Sequence, residues 1–181
     1  MNHIYIQYFK TGIGEMILGA FEGQLCLLDY RYRQMRQAMD DRIKKGLNAE
    51  FLEHEDEIIT QARIQLEEYL SGKRTRFDLP LLMVGTGFQK AVWNALVEVP
   101  YGKTATYLDL AKSLGNEKAV RAVAAANGAN ALAIAVPCHR IVGSHGELTG
   151  YSGGLAVKQR LLQLEHKAGN LYDNQNIVIF V

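Results

Sequence analysis

Residues 106–140 read TYLDLAKSLGNEKAVRAVAAANGANALAIAVPCHR, and the fold class turns on how this stretch divides. Thr106 followed three residues later by Asp109 has the layout of a capping box, so a helix starts here and runs to about Leu114. Gly115-Asn116 makes a turn. Asn116 then caps a second helix from Glu117 to Asn127, closed by Gly128. Two short helices around a glycine turn have the layout of a helix-turn-helix, although many helical hairpins share it without touching nucleic acid. The second helix is unusual in composition. Ala119, Ala122, Ala124, Ala125 and Ala126 give it almost no bulk, and Arg121 is its only long side chain past the first turn. Such a helix either packs tightly in a core or serves as a thin probe for a narrow groove, with Arg121 projecting from it.

The run Ala131 to Val136 reads as a buried strand that delivers Pro137-Cys138-His139-Arg140. A thiol becomes a nucleophile as thiolate, and a nearby imidazole is the usual activator. Neighbours on a strand point to opposite faces. His139 can therefore serve Cys138 only if the chain turns at Pro137 or a water relays the proton. Arg140 either helps hold a thiolate or is a surface charge. Downstream, Leu155 to Lys167 reads as a helix with Leu155, Lys158, Leu161, Leu162 and Glu165 on one face. A carboxylate on an apolar stripe is costly to bury unless paired. Glu165 thus either orients the His139 imidazole, as in a nucleophile–base–orienter relay, or reaches solvent near the helix end. Between the two lies a glycine-rich loop, Gly143 to Gly154, enclosing Tyr151-Ser152, without phosphate-loop spacing.

The chain upstream has a different texture. His3 to Phe9, Gly14 to Phe21 and Gln24 to Tyr30 read as three antiparallel strands, separated by tight turns at Thr11-Gly12 and Glu22-Gly23. Two helices follow, one carrying Tyr32, Met35, Met39 and Ile43 before Gly46, the other carrying Ile58, Ile59, Ala62, Leu66, Tyr69 and Leu70 before Ser71-Gly72. Residues 73–84, with Pro80, read as a link. A last helix stripe, Phe88, Ala91, Val92, Ala95, Leu96 and Val99, stops at Pro100. The expected organisation is an α/β N-terminal domain over 1–80, with an antiparallel sheet and helices. A mainly α C-terminal domain with the helix-turn-helix follows over 86–170. The tail 171–181 ends in Ile177-Val178-Ile179-Phe180-Val181, an extra strand or a sticky end.

Bulk properties narrow the classes. No apolar run is long enough to span a bilayer, and Met1 to Lys10 lacks the layout of a signal peptide, so the protein is expected in the cytoplasm. Cys26 lies in an apolar run and reads as a small buried hydrophobe. One disulfide is possible on paper, but a chain of this size does not need it. Residues 86–181 carry 9 Lys/Arg against 6 Asp/Glu, while residues 1–85 carry 11 against 13, which makes the second half the better home for a polyanion. Cys26, His3 and His54 form no ligand cluster, and neither a metal nor a cofactor is expected.

From Gly87 to Lys167 the chain resembles the O6-alkylguanine-DNA alkyltransferases. The most specific part is Pro137-Cys138-His139-Arg140. Tyr101-Gly102-Lys103-Thr104-Ala105-Thr106-Tyr107, Arg121-Ala122-Val123, Asn130, Gly150-Tyr151-Ser152-Gly153-Gly154, Lys158 and Leu161-Leu162-Gln163-Leu164-Glu165 stand around it in the family's order. Residues 1–80 match in architecture only, as an RNase H-like domain. The resemblance implies DNA repair by direct, irreversible transfer of an alkyl group from guanine O6 to Cys138, once per protein. It implies that His139 takes the thiol proton through a water, that Glu165 orients His139, and that Tyr107 donates to guanine N3. Asn130 would brace the strand carrying Cys138 against the recognition helix. The Ser152 amide would support O6, and the carbonyls of Cys138 and Ile141 would accept from the exocyclic amine. Tyr151 would line the pocket, and Lys158 would stabilise the leaving base. Its partner would be double-stranded DNA entered from the minor groove, about 6 Å wide, which suits an alanine-rich helix. Arg121 would fill the gap left by the flipped nucleotide, with Ala122, Ala125, Thr106 and Arg140 along the DNA surface. The protein would act as a monomer. Three other readings separate on single features. A cysteine hydrolase has no use for the alanine-rich helix, a damage-binding adapter lacks the cysteine, and a major-groove regulator carries several polar readers where this helix has Arg121.

Overall fold

At Glu22 and Gly23 the backbone turns left-handed, with φ of 48° and 78°, as a two-residue hairpin turn between twisted strands requires. That turn joins β2 (Gly14–Phe21) to β3 (Gln24–Tyr30), and β2 also pairs antiparallel with β1 (Asn2–Thr11). The computed structural model describes residues 1–169, so the strand or tail expected over 171–181 lies outside the described residues. The described residues form two units. The first holds Met1–Thr86 and Ala131–Ala135; the second holds Gly87–Asn130 and the chain from Val136 onward.

In the first unit the three expected strands gain a fourth. Residues 49–53, to which the sequence assigned no element, form β4 (Ala49–Glu53), parallel to β1, giving the order β3-β2-β1-β4. The acidic side chains misled because β4 is an edge strand. Glu50 and Glu53 point to water, where charge blunts an otherwise sticky edge. Helix α1 (Arg36–Leu47) makes the crossover from β3 to β4, and its Met39 and Ile43 pack with Ile4, Ile6, Ile17 and Leu27. Helix α2 (Glu57–Leu70) covers the other sheet face, where its Arg63 donates to Gln7 Oε1 (3.1 Å) and stacks on Phe9. Tyr32 and Met35 do not belong to α1's buried stripe. Both precede the helix and are exposed, Met35 in left-handed backbone. The supposed link is also part of the fold, since the backbone amides and carbonyls of residues 80–82 bond along Leu25 of β3.

Residues 131–135 join this unit rather than the second. They are not a regular strand: Leu132 makes one bridge to Leu28, and Ile134 turns left-handed with φ of 72°. Alternation cannot be read from a run that is apolar at every position, so an irregular buried segment looks like a strand in sequence.

In the second unit, α3 (Gly87–Val97) buries Val92, Trp93 and Leu96, while Phe88 is exposed. Trp93 Nε1 donates to the Ala126 carbonyl at 2.8 Å, anchoring α3 to α5 (Val120–Gly128). The box at Thr106 and Asp109 is formed in full and starts α4 (Tyr107–Ser113). The turn at Gly115 is left-handed, but the Asn116 side chain makes no cap. A 3-10 turn, Glu117–Ala119, intervenes before α5, and Gly128 is its last residue rather than a left-handed stop. Helix α6 (Leu155–Gly169) closes the described chain.

The first unit contains one buried carboxylate. Asp29 is fully buried at the end of β3 and is held by Arg33 (3.1 Å) and Arg36 (3.0 Å), which ties the strand to the start of α1. Asp29→Ala removes the carboxylate that Arg33 and Arg36 share, leaving Arg36 its pair with Asp40, and is expected to cost about 3–5 kcal/mol in urea denaturation. An unchanged midpoint would show that the ion pairs are dispensable.

Candidate active site

The chain re-enters the second unit at Val136, whose carbonyl accepts from the Asn130 side-chain amide (2.9 Å) and from the Cys138 amide (2.8 Å). Pro137 then leads into a 3-10 turn, Cys138–Arg140, followed by β6 (Ile141–Val142), which pairs parallel with β5 (Ala105–Thr106). The chain therefore turns at Pro137, so strand alternation does not govern the disposition of Cys138, His139 and Arg140. Each is buried, with Cys138 only 4% exposed. The Cys138 carbonyl accepts from the Ile141 amide.

Glu165 organises this turn. It is fully buried on α6 and accepts from His139 Nε2 at 2.8 Å. It also takes two groups of Arg140, Nε at 2.9 Å and Nη2 at 2.8 Å, and the Gly102 amide at 3.4 Å. Arg140 Nη1 donates in turn to the Val99 carbonyl at 2.7 Å. Burial works to raise the Glu165 pKa, but the charges and hydrogen bonds of His139 and Arg140 outweigh it and hold the group at about 2. Burial dominates at His139 and pushes its pKa down, against the pull of Glu165. The permanent charge facing Glu165 is thus Arg140, and the imidazole is neutral at pH 7. An ionised carboxylate can only accept, so Nε2 carries the ring proton and Nδ1 is the basic nitrogen.

Arg140 was expected along a DNA surface. It is instead buried, its guanidinium engaged by Glu165 and Val99. Sequence reasoning named His139 as the partner of Glu165 and missed the arginine. A buried carboxylate asks for a full countercharge, and Arg140, one residue away, was the signal.

The remaining expected residues surround this core. Lys158 is fully buried on α6 and donates to the carbonyls of Thr149 (2.8 Å) and Gly150 (3.4 Å). Its burial pushes its pKa down to about 8, with charge on Cys138 opposing. Tyr107, half-buried at the start of α4, accepts at its phenol oxygen from Thr149 Oγ1 (3.0 Å). Burial raises its pKa, the Thr149 hydrogen bond works against that, and charge on Cys138 adds to it. The Tyr151 ring lies edge-on to His139. The Ser152 hydroxyl is buried without a hydrogen-bond partner. Thr149, which touches both Tyr107 and Lys158, was not singled out from sequence, because a lone threonine in a flexible loop carries no pattern. Cys26 is the contrasting thiol. It donates to the Gly19 carbonyl, and burial pushes its pKa up to about 12.

On α5, Arg121, Ala122 and Ala125 are exposed along one face, while Val123 and Ala126 are buried on the other. Thr106, half-buried, uses its hydroxyl in the α4 cap. Among the described residues no group of three or more His, Cys, Asp or Glu could hold a metal ion, and no helix is long and apolar enough to cross a membrane.

Known proteins resemble this chain in sequence and fold. Residues 87–167 match the model described as 6-O-methylguanine DNA methyltransferase, DNA binding domain, and residues 4–83 match that family's ribonuclease-like domain. The chain is 43% identical over 162 residues to a methylated-DNA–protein-cysteine methyltransferase of Methanosarcina acetivorans, covering 90% of this chain and 98% of the relative. The chain belongs to the 6-O-methylguanine DNA methyltransferase family. Another methyltransferase relative, the inducible protein of Bacillus subtilis, is 45% identical over 130 residues, 72% of this chain and 73% of its own. A crystal structure of Mycobacterium tuberculosis O6-methylguanine methyltransferase superposes with a TM-score of 0.77 at 34% identity, covering 94% and 99% of the two chains. The same organism's OGT in complex with DNA gives 0.76 at 35%, covering 92% and 94%. The methyltransferase fold of this chain is therefore a ribonuclease-like domain followed by a helical DNA-binding domain.

The linkage between protonation and folding has a definite sign here. With a folded pKa of about 2 against an ordinary 4.5, Glu165 stabilises the protein above pH 4.5, and that contribution is lost as pH falls toward 2. Urea midpoints measured across this range should fall for the natural protein. Glu165→Gln should flatten that fall and lower stability at pH 7 by about 3–5 kcal/mol, because Arg140 then lacks its countercharge. A Gln variant with the same acid profile would dissociate the effect from Glu165.

Proposed function

We propose that this protein repairs O6-alkylguanine in DNA by moving the alkyl group to its own Cys138. The observation that carries the assignment of roles is the buried Arg140–Glu165–His139 chain beside Cys138. Burial keeps the imidazole neutral and the hydrogen bond to Glu165 leaves Nδ1 as the basic nitrogen, ready to take the thiol proton through a water. The sulfur attacks the alkyl carbon in line, and the C–O6 bond breaks as the S–C bond forms. The electron pair passes to the purine, and the thiol proton ends on the base. A thioether has no leaving group that water can displace under mild conditions, so each protein acts once.

The other groups serve the departing base. Tyr107 donates a hydrogen bond to N3 as negative charge develops on the ring. The Ser152 amide supports O6, and its buried, unpartnered hydroxyl offers a second donor nearby. The carbonyls of Cys138 and Ile141 receive the exocyclic amine, Tyr151 walls the pocket, and Lys158 stabilises the purine as it leaves. Asn130 holds Val136 and hence the turn that bears the nucleophile.

Reaching the alkyl carbon requires the nucleotide to leave the duplex. The face of Arg121, Ala122 and Ala125 supports entry of α5 into the minor groove, where small side chains fit and Arg121 fills the vacated space, with Thr106 near the DNA at the start of α4. The transfer consumes a free thiol, which fits the cytoplasm. All these groups lie in one chain, which fits a monomer.

Intact mass after mixing with duplex DNA bearing O6-methylguanine is expected to show one methyl increment per protein, on the Cys138 peptide. Repeated turnover, or a label on Cys26, would falsify the mechanism. Cys138→Ala should bind the duplex and transfer nothing. Tyr107→Phe should slow transfer about 100-fold, the low end for a lost proton donor. Arg121→Ala should slow transfer from duplex more than from single strands, and equal slowing on both would remove its role in extrusion.

A further inference from the structure

The loop residue Thr149 is exposed, yet its two oxygens hold two of the groups that surround Cys138. The hydroxyl meets the Tyr107 phenol oxygen at 3.0 Å, and the carbonyl meets Lys158 Nζ at 2.8 Å. We infer that Thr149 is a positioning residue for alkyl transfer: its hydroxyl donates to the Tyr107 oxygen and so directs the phenolic proton to the purine, while its carbonyl sets the Lys158 ammonium beside the same site. This inference rests on the role proposed for Tyr107.

A phenol has one proton and two acceptor lone pairs. Were the proton given to Thr149, it would be withdrawn from the base. With Thr149 as the donor across this 3.0 Å contact, the acceptor side of the phenol is occupied and its own O–H remains to be given to a second acceptor. The same bond steadies negative charge on the phenol oxygen, in opposition to the burial of Tyr107, which disfavours that charge. The threonine side chain suits the task because branching at Cβ restricts its first torsion and aims the hydroxyl. The carbonyl of the same residue meets a buried ammonium, so the loop is gripped on either side of the threonine's own Cα. Movement of this peptide would displace both the proton donor and the cation together.

The test uses single-turnover methyl transfer at saturating duplex bearing O6-methylguanine, with DNA affinity measured separately in the Cys138→Ala background. Thr149→Val keeps the shape and removes the hydroxyl. It is expected to lower the saturated rate about 3- to 10-fold, the range for one lost neutral hydrogen bond, with affinity unchanged. Thr149→Ser should restore the rate to within about 2-fold, since it returns the same donor. In a Tyr107→Phe background, Thr149→Val should have no further effect. Full activity of Thr149→Val, failure of the Ser variant to restore it, or an undiminished loss in the Phe background would overturn the inference. A second readout does not need transfer. The Tyr107 titration, followed by NMR of labelled tyrosine and assigned with Tyr107→Phe, should move to higher pH in Thr149→Val and stay in place in Thr149→Ser. An unmoved titration overturns the contact itself. A moved titration in a protein that transfers no methyl group would overturn the proposed function and leave the contact standing.

Discussion

A carboxylate cannot sit dry without partners, and Glu165 sits fully buried. The second unit's chemistry follows from how that demand is met. Arg140 supplies a permanent countercharge with two nitrogens, His139 supplies a third donor, and Gly102 adds a backbone amide. These groups come from α6, from the turn at Cys138 and from the loop before β5. The ion pair therefore fixes three separate segments against one another. Buried pairs of this kind are weak sources of stability, because desolvation consumes most of the Coulomb gain. Their geometric consequence is larger. Rotation of the turn would break the hydrogen bonds of His139 and Arg140 to Glu165, so Cys138 is held in one orientation.

The division of labour between Arg140 and His139 follows from their acid–base properties. A guanidinium is always charged, so it satisfies Glu165 whatever the pH. The imidazole is thereby relieved of serving as the counterion. Burial then keeps it neutral, and the carboxylate dictates which nitrogen bears the proton. A lysine in place of Arg140 would present a point charge without the two-pronged fit to both carboxylate oxygens, and it could not reach Val99 at the same time.

Two further constraints shape the surroundings. Lys158 and Glu165 stand two turns apart on α6, and both are fully buried. Opposite charges on an otherwise apolar face are tolerated because each meets fixed polar groups: loop carbonyls for the lysine, the turn for the glutamate. On α5 the constraint is steric. Trp93 anchors the buried side through the Ala126 carbonyl, while the alanines opposite leave the backbone close to the helix surface. The capping box at Thr106 sets where α4 begins and hence where Tyr107 stands.

Much was legible in the amino-acid sequence. The three β-strands, α2 and the box at Thr106 follow from periodicity and capping chemistry, which are local rules. The alanine-rich face of α5 was legible for the same reason. A carboxylate on an apolar stripe left Glu165 two readings, and its pairing with His139 came from the family resemblance. Tertiary structure alone decided the rest. Strand β4 exists because β1 offers a free edge, which no local pattern records. The apolar run at 131–136 belongs to the first unit and is irregular, since a uniformly apolar segment has no period to read. Arg140 turned inward because the nearest buried carboxylate outcompetes water for a bidentate partner, and Thr149 acquired its place from two residues distant in the chain. Contacts between distant residues depend on how loops close, and a sequence states which groups are present without stating which of them meet.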